Sequence, residues 1–247
     1  MTKQQKVAIV TGGGTGIGSA TCKRLANDGF AVIVAYSRSA DGAEEIAKEI
    51  IASNGTALVT KADIKLEEDV SQLFQFTLDR FGRIDVVINN AGIGHMKSFA
   101  DITMDEYDHL FDTNARGTFM MCREAAKHIQ DGGRIINIST GATTSNSEGM
   151  VLYVSSKLAI EGYTKILAKE LGPRQIAVNT VSPGMVDTPM LEGGDAEALR
   201  QWGAQAAAMK RCGEAEDIAD AIGSLVSSDG RWITGQNISV SGGSTII

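Results

Sequence analysis

Tyr153 and Lys157 stand four residues apart, and on a helix that spacing brings a phenol and an ammonium to one face. A phenol at its ordinary pKa of about 10 is a poor acid or base near neutrality. A neighbouring cation stabilises the phenolate and lowers that value. The pair could then give a proton to a carbonyl oxygen or take one from an alcohol. The spacing by itself decides little, because a surface pair on any amphipathic helix shares it. Its weight depends on what lies upstream.

Upstream, Thr11-Gly12-Gly13-Gly14-Thr15-Gly16-Ile17-Gly18 joins a strand-like run to a helical pattern. Glycines let the backbone turn tightly and come close to a pyrophosphate, and a helix N-terminus adds free N–H groups and partial positive charge. No register gives Gly-x-Gly-x-x-Gly. Gly12, Gly16 and Gly18 give Thr-Gly-x-x-x-Gly-x-Gly instead. No Gly-Lys-Ser/Thr follows, which excludes the phosphate loop of nucleoside triphosphatases. By itself the loop identifies a nucleotide site and no more. Asn89-Asn90-Ala91-Gly92 follows a later strand-like run, at the carboxyl edge where open α/β sheets bind ligands.

The elements that must position these residues are legible as alternation. Short β-branched runs at 7–10, 31–35, 56–59, 85–89, 134–138, 177–181 and 238–240 are separated by segments long enough for crossover helices. Several runs are apolar throughout, as strands buried on both faces are. A doubly wound parallel α/β fold follows, as one domain over residues 1–247. Asn27-Asp28-Gly29, Ser53-Asn54-Gly55 and Phe81-Gly82 each close a helical pattern, with glycine expected in the left-handed conformation. The segment 186–210, with Gly193-Gly194, has weak periodicity and reads as a mobile substrate loop.

Taken in order, these motifs resemble the short-chain dehydrogenase/reductase family over nearly the whole chain, in particular NADP-dependent ketoreductases and 3-oxoacyl-acyl-carrier-protein reductases. The resemblance implies a Rossmann-like fold with a seven-stranded sheet and a hydride transfer between a nicotinamide cofactor and a carbonyl or alcohol. It implies Tyr153 as general acid/base and Lys157 as its partner. Asn114, within Asp112-Thr113-Asn114-Ala115, would hold a water in a proton relay. The family's oxygen-binding serine stands thirteen residues before the tyrosine, and here that position is Thr140, preceded by Ser139. Neighbouring strand residues face opposite sides, so only one of the two should reach the substrate. Spacing selects Thr140, with a bulge that turns Ser139 inward as the alternative.

For the cofactor, the resemblance implies contacts from Gly12, Thr15, Gly16, Ile17 and Gly18, from Asn90, Ala91 and Gly92, and from Tyr153 and Lys157. Pro183, Gly184, Val186 and Thr188 would sit beside the nicotinamide. Asp63 and Ile64 would lie near the adenine, with a helix cap as the other reading of Asp63. In NAD-binding proteins of this fold a carboxylate ends the second strand. Here the stretch reads Tyr36-Ser37-Arg38-Ser39, and a guanidinium with two hydroxyls suits a 2′-phosphate. Asp41 comes later and reads as a helix N-cap. NADP(H) is the preferred cofactor, with NAD(H) the alternative.

Composition narrows the partners. The chain has 247 residues, 43% of them hydrophobic, and a formal net charge of −7; its pI is near 5.0. No basic cluster suggests nucleic acid, and no uncharged apolar run nears the ~20 residues of a membrane span. The start, Met1 to Lys6, lacks a signal-peptide pattern. Cys22, Cys122 and Cys212 are scattered, and no metal-ligand spacing involves them or His95, His109 and His128. The expectation is a cytoplasmic enzyme without a metal, acting on a small carbonyl or alcohol framed by 93–96, 142–152 and 186–210. Trp202 and Met209 could cap an apolar substrate. The C-terminal stretch Gly235–Gly243 resembles that of homotetrameric members. A 3-oxoacyl-acyl-carrier-protein reductase, which wants basic docking residues such as Arg174, is one alternative, and a non-catalytic NADP-binding regulator is another.

Overall fold

The computed structural model describes residues 5–145, 147–193 and 195–245. Met1–Gln4, Asn146 and Gly194, on which parts of the N-terminal and loop expectations fall, lie outside them. Seven strands, β1 (Val7–Thr11), β2 (Ala31–Tyr36), β3 (Thr56–Lys61), β4 (Val86–Asn89), β5 (Arg134–Ile138), β6 (Ala177–Pro183) and β7 (Asn237–Val240), form one sheet in the order β3-β2-β1-β4-β5-β6-β7. Every pairing is parallel. The order reverses between β1 and β4, which opens a crevice at the carboxyl ends of those strands.

The helices are α1 (Gly16–Asn27), α2 (Ala40–Ala52), α3 (Glu67–Phe81), α4 (Met104–Phe111), α5 (Gly117–His128), α6 (Ala142–Ser145), α7 (Val151–Leu171), α8 (Ala196–Ala206) and α9 (Ala215–Val226). They cover both faces. Val7, Ile9 and Ile33 pack with Leu73 and Phe74 of α3, Met121 of α5 and Leu171 of α7. Ala8, Val10, Val32 and Val34 pack with Leu25 of α1, Ile46 of α2 and Ile222 of α9. Alternate residues of one strand thus enter different cores, and this is why β1 and β2 carry long unbroken apolar runs.

The helix ends differ from expectation in detail. Gly29 and Gly82 take positive φ, but at Ser53-Asn54-Gly55 it is Asn54 that does so, at 62°. Gly55 is needed there for space, since a Cβ would stand 2.7 Å from Ile50 Cγ2. Asp41 is not the N-cap of α2. Ser39 holds that place, and Asp41 lies in the first turn, where its charge suits the helix dipole.

Between α4 and α5 the chain passes through a π-helical turn, Asp112–Arg116, of the kind that recurs at functional sites. It carries Asn114. Across the sheet a buried polar ladder joins Asn89 Nδ2 to Asn137 Oδ1 at 2.8 Å, Asn137 Nδ2 to Thr164 Oγ1 at 2.9 Å, and Thr164 to Thr180. It ties β4, β5, α7 and β6 beneath the crevice.

Candidate active site

The glycine loop is closed too tightly for any other residue at Gly18. A Cβ there would lie 2.1 Å from Gly12 O and 2.6 Å from Asn90 Nδ2. Asn90 holds the loop from below, donating through Nδ2 to Thr11 O at 3.0 Å and Gly12 O at 3.2 Å. Thr11 Oγ1 accepts from the amides of Asn90 and Ala91, both at 3.1 Å. Asn90 and Ala91 of the Asn-Asn-Ala-Gly stretch are thereby tied to the glycine loop and the end of β1. Thr15, the N-cap of α1, is exposed and its hydroxyl makes no cap bond. Opposite the loop, a Cβ on Gly16 would stand 3.1 Å from Thr188 Cγ2. The glycine loop and the segment after β6 thus face each other across the crevice. Val186 is anchored by a bridge to Gly213, and Gly184 sits against Ser241. Overpacking of such a site disfavours the native arrangement by about 1–3 kcal/mol, so Gly18→Ala is expected to weaken dinucleotide binding about 10- to 100-fold in a calorimetric titration.

At the end of β2, Ser37, Arg38 and Ser39 are exposed, and among the described residues none of the three side chains is engaged in a hydrogen bond or ion pair. Asp63 accepts from the Lys65 amide at 3.1 Å. It does not cap α3, which begins at Glu67 behind Leu66, so that reading is corrected to a local turn. Ile64 is buried, with its side chain and carbonyl against Gly117.

Tyr153 and Lys157 lie on α7 with the Lys157 Nζ 5.9 Å from the phenol ring centroid. Lys157 is buried and donates to Ile138 O at 2.8 Å. Burial pushes its ammonium down to about 8. Tyr153 is held above its ordinary value: burial raises it, and a hydrogen bond from Thr140 works in the opposite direction. The expected lowering of the phenol by the lysine does not emerge: burial holds the phenol up, and the group that works to lower it is Thr140. Asn114 is fully buried. Its Nδ2 donates to Ile93 O at 2.9 Å and Ser156 Oγ at 3.1 Å, and its Oδ1 accepts from the Ile93 amide at 2.9 Å. Gly92 touches both groups, since a Cβ there would lie 3.2 Å from Asn114 Oδ1 and from Lys157 Nζ.

The hydroxyl pair divides cleanly. Thr140 meets the phenol, whereas Ser139 Oγ donates to Glu161 Oε1 at 2.7 Å. Both contacts are to α7, so the alternation rule did not separate them. β5 ends at Ile138, although the Ser139 and Gly141 amides still bond Val181 O and Pro183 O of β6. Glu161 escaped the sequence reading, although its place four residues after Lys157 was a signal available there.

A family model described as Enoyl-(Acyl carrier protein) reductase matches residues 12–245. A short-chain dehydrogenase from Burkholderia cenocepacia, solved in complex with NADP, superposes with a TM-score of 0.91 at 37% identity over 98% of both chains. The chain is a short-chain dehydrogenase/reductase. Within that family it is also similar to the angucycline C-6 ketoreductase LanV with bound NADP, with a TM-score of 0.90, 35% identity, and coverage of 97% of this chain and 95% of that one. A 3-oxoacyl-[acyl-carrier-protein] reductase from Synechocystis sp. is 37% identical over 241 residues, 96% of each chain.

The segments expected to frame the substrate of this dehydrogenase/reductase are joined by close contacts. Lys97 N donates to Gly149 O at 2.8 Å, and the Met190 sulfur lies 4.0 Å from a Cβ built on Gly94. The 186–210 segment contains a 3-10 turn, Pro189–Gly193, and α8. Arg200 of α8 pairs with Asp187 at 2.9 Å. A cavity of about 570 Å³ lies behind this segment, lined by Met185, Val186, Met209, Arg211, Ile218 and Thr245 among others. Tyr153, Lys157 and Thr140 do not line it, so it is separate from the acid–base group. Among the described residues no helix is long and apolar enough to cross a membrane.

Proposed function

We propose that this chain reduces a ketone or aldehyde with NADPH, or runs the reverse oxidation, with Tyr153 as the general acid/base. The observation that carries the reading is the hydroxyl–phenol–ammonium group of Thr140, Tyr153 and Lys157, set beside a glycine cradle. The glycine loop, Asn90 and the Pro183–Thr188 segment fit a dinucleotide. The cofactor would supply or accept the hydride. Thr140 Oγ1 already accepts from the Ala142 amide at 3.2 Å, which leaves its proton free to point at the phenol or a carbonyl oxygen. Tyr153, protonated near neutrality, gives its proton to the developing alkoxide. Lys157 keeps a positive charge near the phenol as it ionises. Asn114 holds Ile93 and Ser156 in place through its side chain, and its part in a proton relay remains the family's implication. Turnover of NADPH against ketones, diketones, acetoacetyl thioesters and sugars tests the reading. Cofactor binding without turnover on any of them would favour a regulator.

NADP(H) is favoured by the free Ser37-Arg38-Ser39 edge and by the NADP held in the two structural neighbours. A charge-assisted hydrogen bond contributes about 1.5–3 kcal/mol, so Arg38→Ala should raise the KM for NADPH by about 10- to 100-fold and leave that for NADH unchanged. Equal effects on the two cofactors would remove the assignment.

The Synechocystis relative favours an acyl-carrier-protein substrate as a second reading. Against it, Arg174 is already engaged. Its guanidinium pairs with Asp131 at 2.8 Å and donates to the carbonyls of Ala126 and Ile129 at the end of α5. A homotetramer is proposed from exposed Phe119, Leu158 and Ile166 on α5 and α7, where Phe119 meets Tyr163 edge-on. Light scattering should report four copies, and a monomer would refute this.

A further inference from the structure

Three contacts bind the end of β5 to one face of α7. Lys157 Nζ donates to Ile138 O at 2.8 Å, Ser139 Oγ donates to Glu161 Oε1 at 2.7 Å, and Thr140 hydrogen-bonds the Tyr153 phenol. Tyr153, Lys157 and Glu161 recur at a spacing of four, so three successive turns of the helix hold three successive residues of the chain. The sheet holds the backbone on either side of Thr140, with the Ser139 amide on Val181 O at 2.8 Å and the Gly141 amide on Pro183 O at 2.7 Å, but those bonds do not reach its side chain. After Thr140 the chain enters a turn, with the Thr143 amide on Thr140 O at 3.3 Å. Ser139 joins that sheet anchor to α7. Its amide donates to Val181 O at 2.8 Å, and its hydroxyl is buried and committed to the Glu161 carboxylate. A carboxylate only accepts, so the direction of the Ser139 hydroxyl is set, and such charge-assisted bonds are short and strong.

We propose that Glu161 is a positioning residue, acting through Ser139 to fix where the Thr140 hydroxyl meets the Tyr153 phenol. The inference rests on the acid–base reading given above. Glu161 touches neither the phenol nor the ammonium among its hydrogen bonds. With the Glu161–Ser139 bond gone, the residue next to Thr140 loses its own tether to α7, leaving only the Lys157 bond to Ile138 O, and the Thr140 hydroxyl is held less closely relative to the phenol. Thr140 favours the ionised phenol, so losing it moves Tyr153 ionisation to higher pH.

The test compares Glu161→Leu, Glu161→Gln, Ser139→Ala and the Glu161→Leu/Ser139→Ala double variant in the full-length chain. Two readouts are followed: turnover of the fastest carbonyl substrate in the panel, and ultraviolet difference titration of the phenol against Tyr153→Phe. Glu161→Leu and Ser139→Ala should each lower kcat about tenfold, as a misplaced catalytic group does, with the KM for NADPH unchanged. Both should move the phenol titration and the acid limb of alcohol oxidation to higher pH. Glu161→Gln keeps an acceptor oxygen and should restore most of kcat. The double variant should be no worse than either single change, because both break one interaction. Unchanged kcat and titration in Glu161→Leu would overturn the proposal, as would a loss confined to thermal stability. So would Glu161→Gln as impaired as Glu161→Leu. Full turnover by Tyr153→Phe would instead overturn the acid–base reading on which the proposal stands.

Discussion

Tyr153→Phe is expected to lower kcat by about 10²- to 10⁴-fold, the range that a positioned general acid contributes, while NADPH affinity is retained. The change deletes one oxygen and leaves the ring to pack as before. Lys157 keeps its hydrogen bond to Ile138 O, and the bonds by which Asn90 holds the glycine loop do not involve the phenol. The pH dependence has a definite sign. Burial holds the phenol above its ordinary value against the Thr140 hydrogen bond, so the tyrosine is protonated throughout the neutral range. Carbonyl reduction, which needs the protonated form, should be flat through neutrality and fall only at alkaline pH. Alcohol oxidation, which needs the phenolate, should rise with pH over the same range. Steady-state profiles in both directions check this. A Tyr153→Phe enzyme that still turns over at the wild-type rate would mean that the proton comes from elsewhere.

What the sequence could and could not show follows from how local each feature is. The strands were legible because both faces of the sheet are buried, which makes β2 and most of β1 and β4 apolar without interruption. Tyr153 and Lys157 were legible because helical spacing fixes their relation regardless of tertiary structure. The Arg38 edge was legible as the absence of a carboxylate at a known point of the fold. The features missed depend on contacts between distant segments. Ser139 and Glu161 are 22 residues apart in sequence, and their meeting depends on how α7 packs against the end of β5. The backbone bonds to β6 run on to Gly141, yet the side chains of Ser139 and Thr140 both meet α7, which strict alternation does not foresee. The π turn at Asp112–Arg116 leaves no compositional trace, since its residues suit an α-helix equally well. Arg174 read as a docking residue, because a side chain folding back onto the carbonyls of α5 is invisible without the fold.

Lys157→Met should make the protein more stable as it abolishes turnover. Burial holds the Lys157 ammonium down to about 8, whereas in an unfolded chain it titrates near 10.4. The folded state therefore binds this proton less tightly than the unfolded state does. Below pH 8 both states carry the proton, and the full penalty of a buried charge is present. Between pH 8 and about 10.4 the unfolded chain binds more protons, so the contribution of this group to stability rises with pH. A drop of this size corresponds to about 3 kcal/mol, reduced by the lost hydrogen bond to Ile138 O, which offsets about 1 kcal/mol. Methionine fills a similar volume without charge. A net gain of about 1–2 kcal/mol at neutral pH is expected, which raises Tm by about 2–8 °C in a chain of this length. The gain should shrink as the pH is raised towards 10, because the wild-type lysine then folds uncharged. Urea titrations at pH 7 and pH 9.5 measure both parts. A variant less stable than wild type at pH 7, or a gain that does not change with pH, would show that the ammonium is not held against a desolvation penalty. Its charge would then have a different origin from the one that makes it useful beside Tyr153.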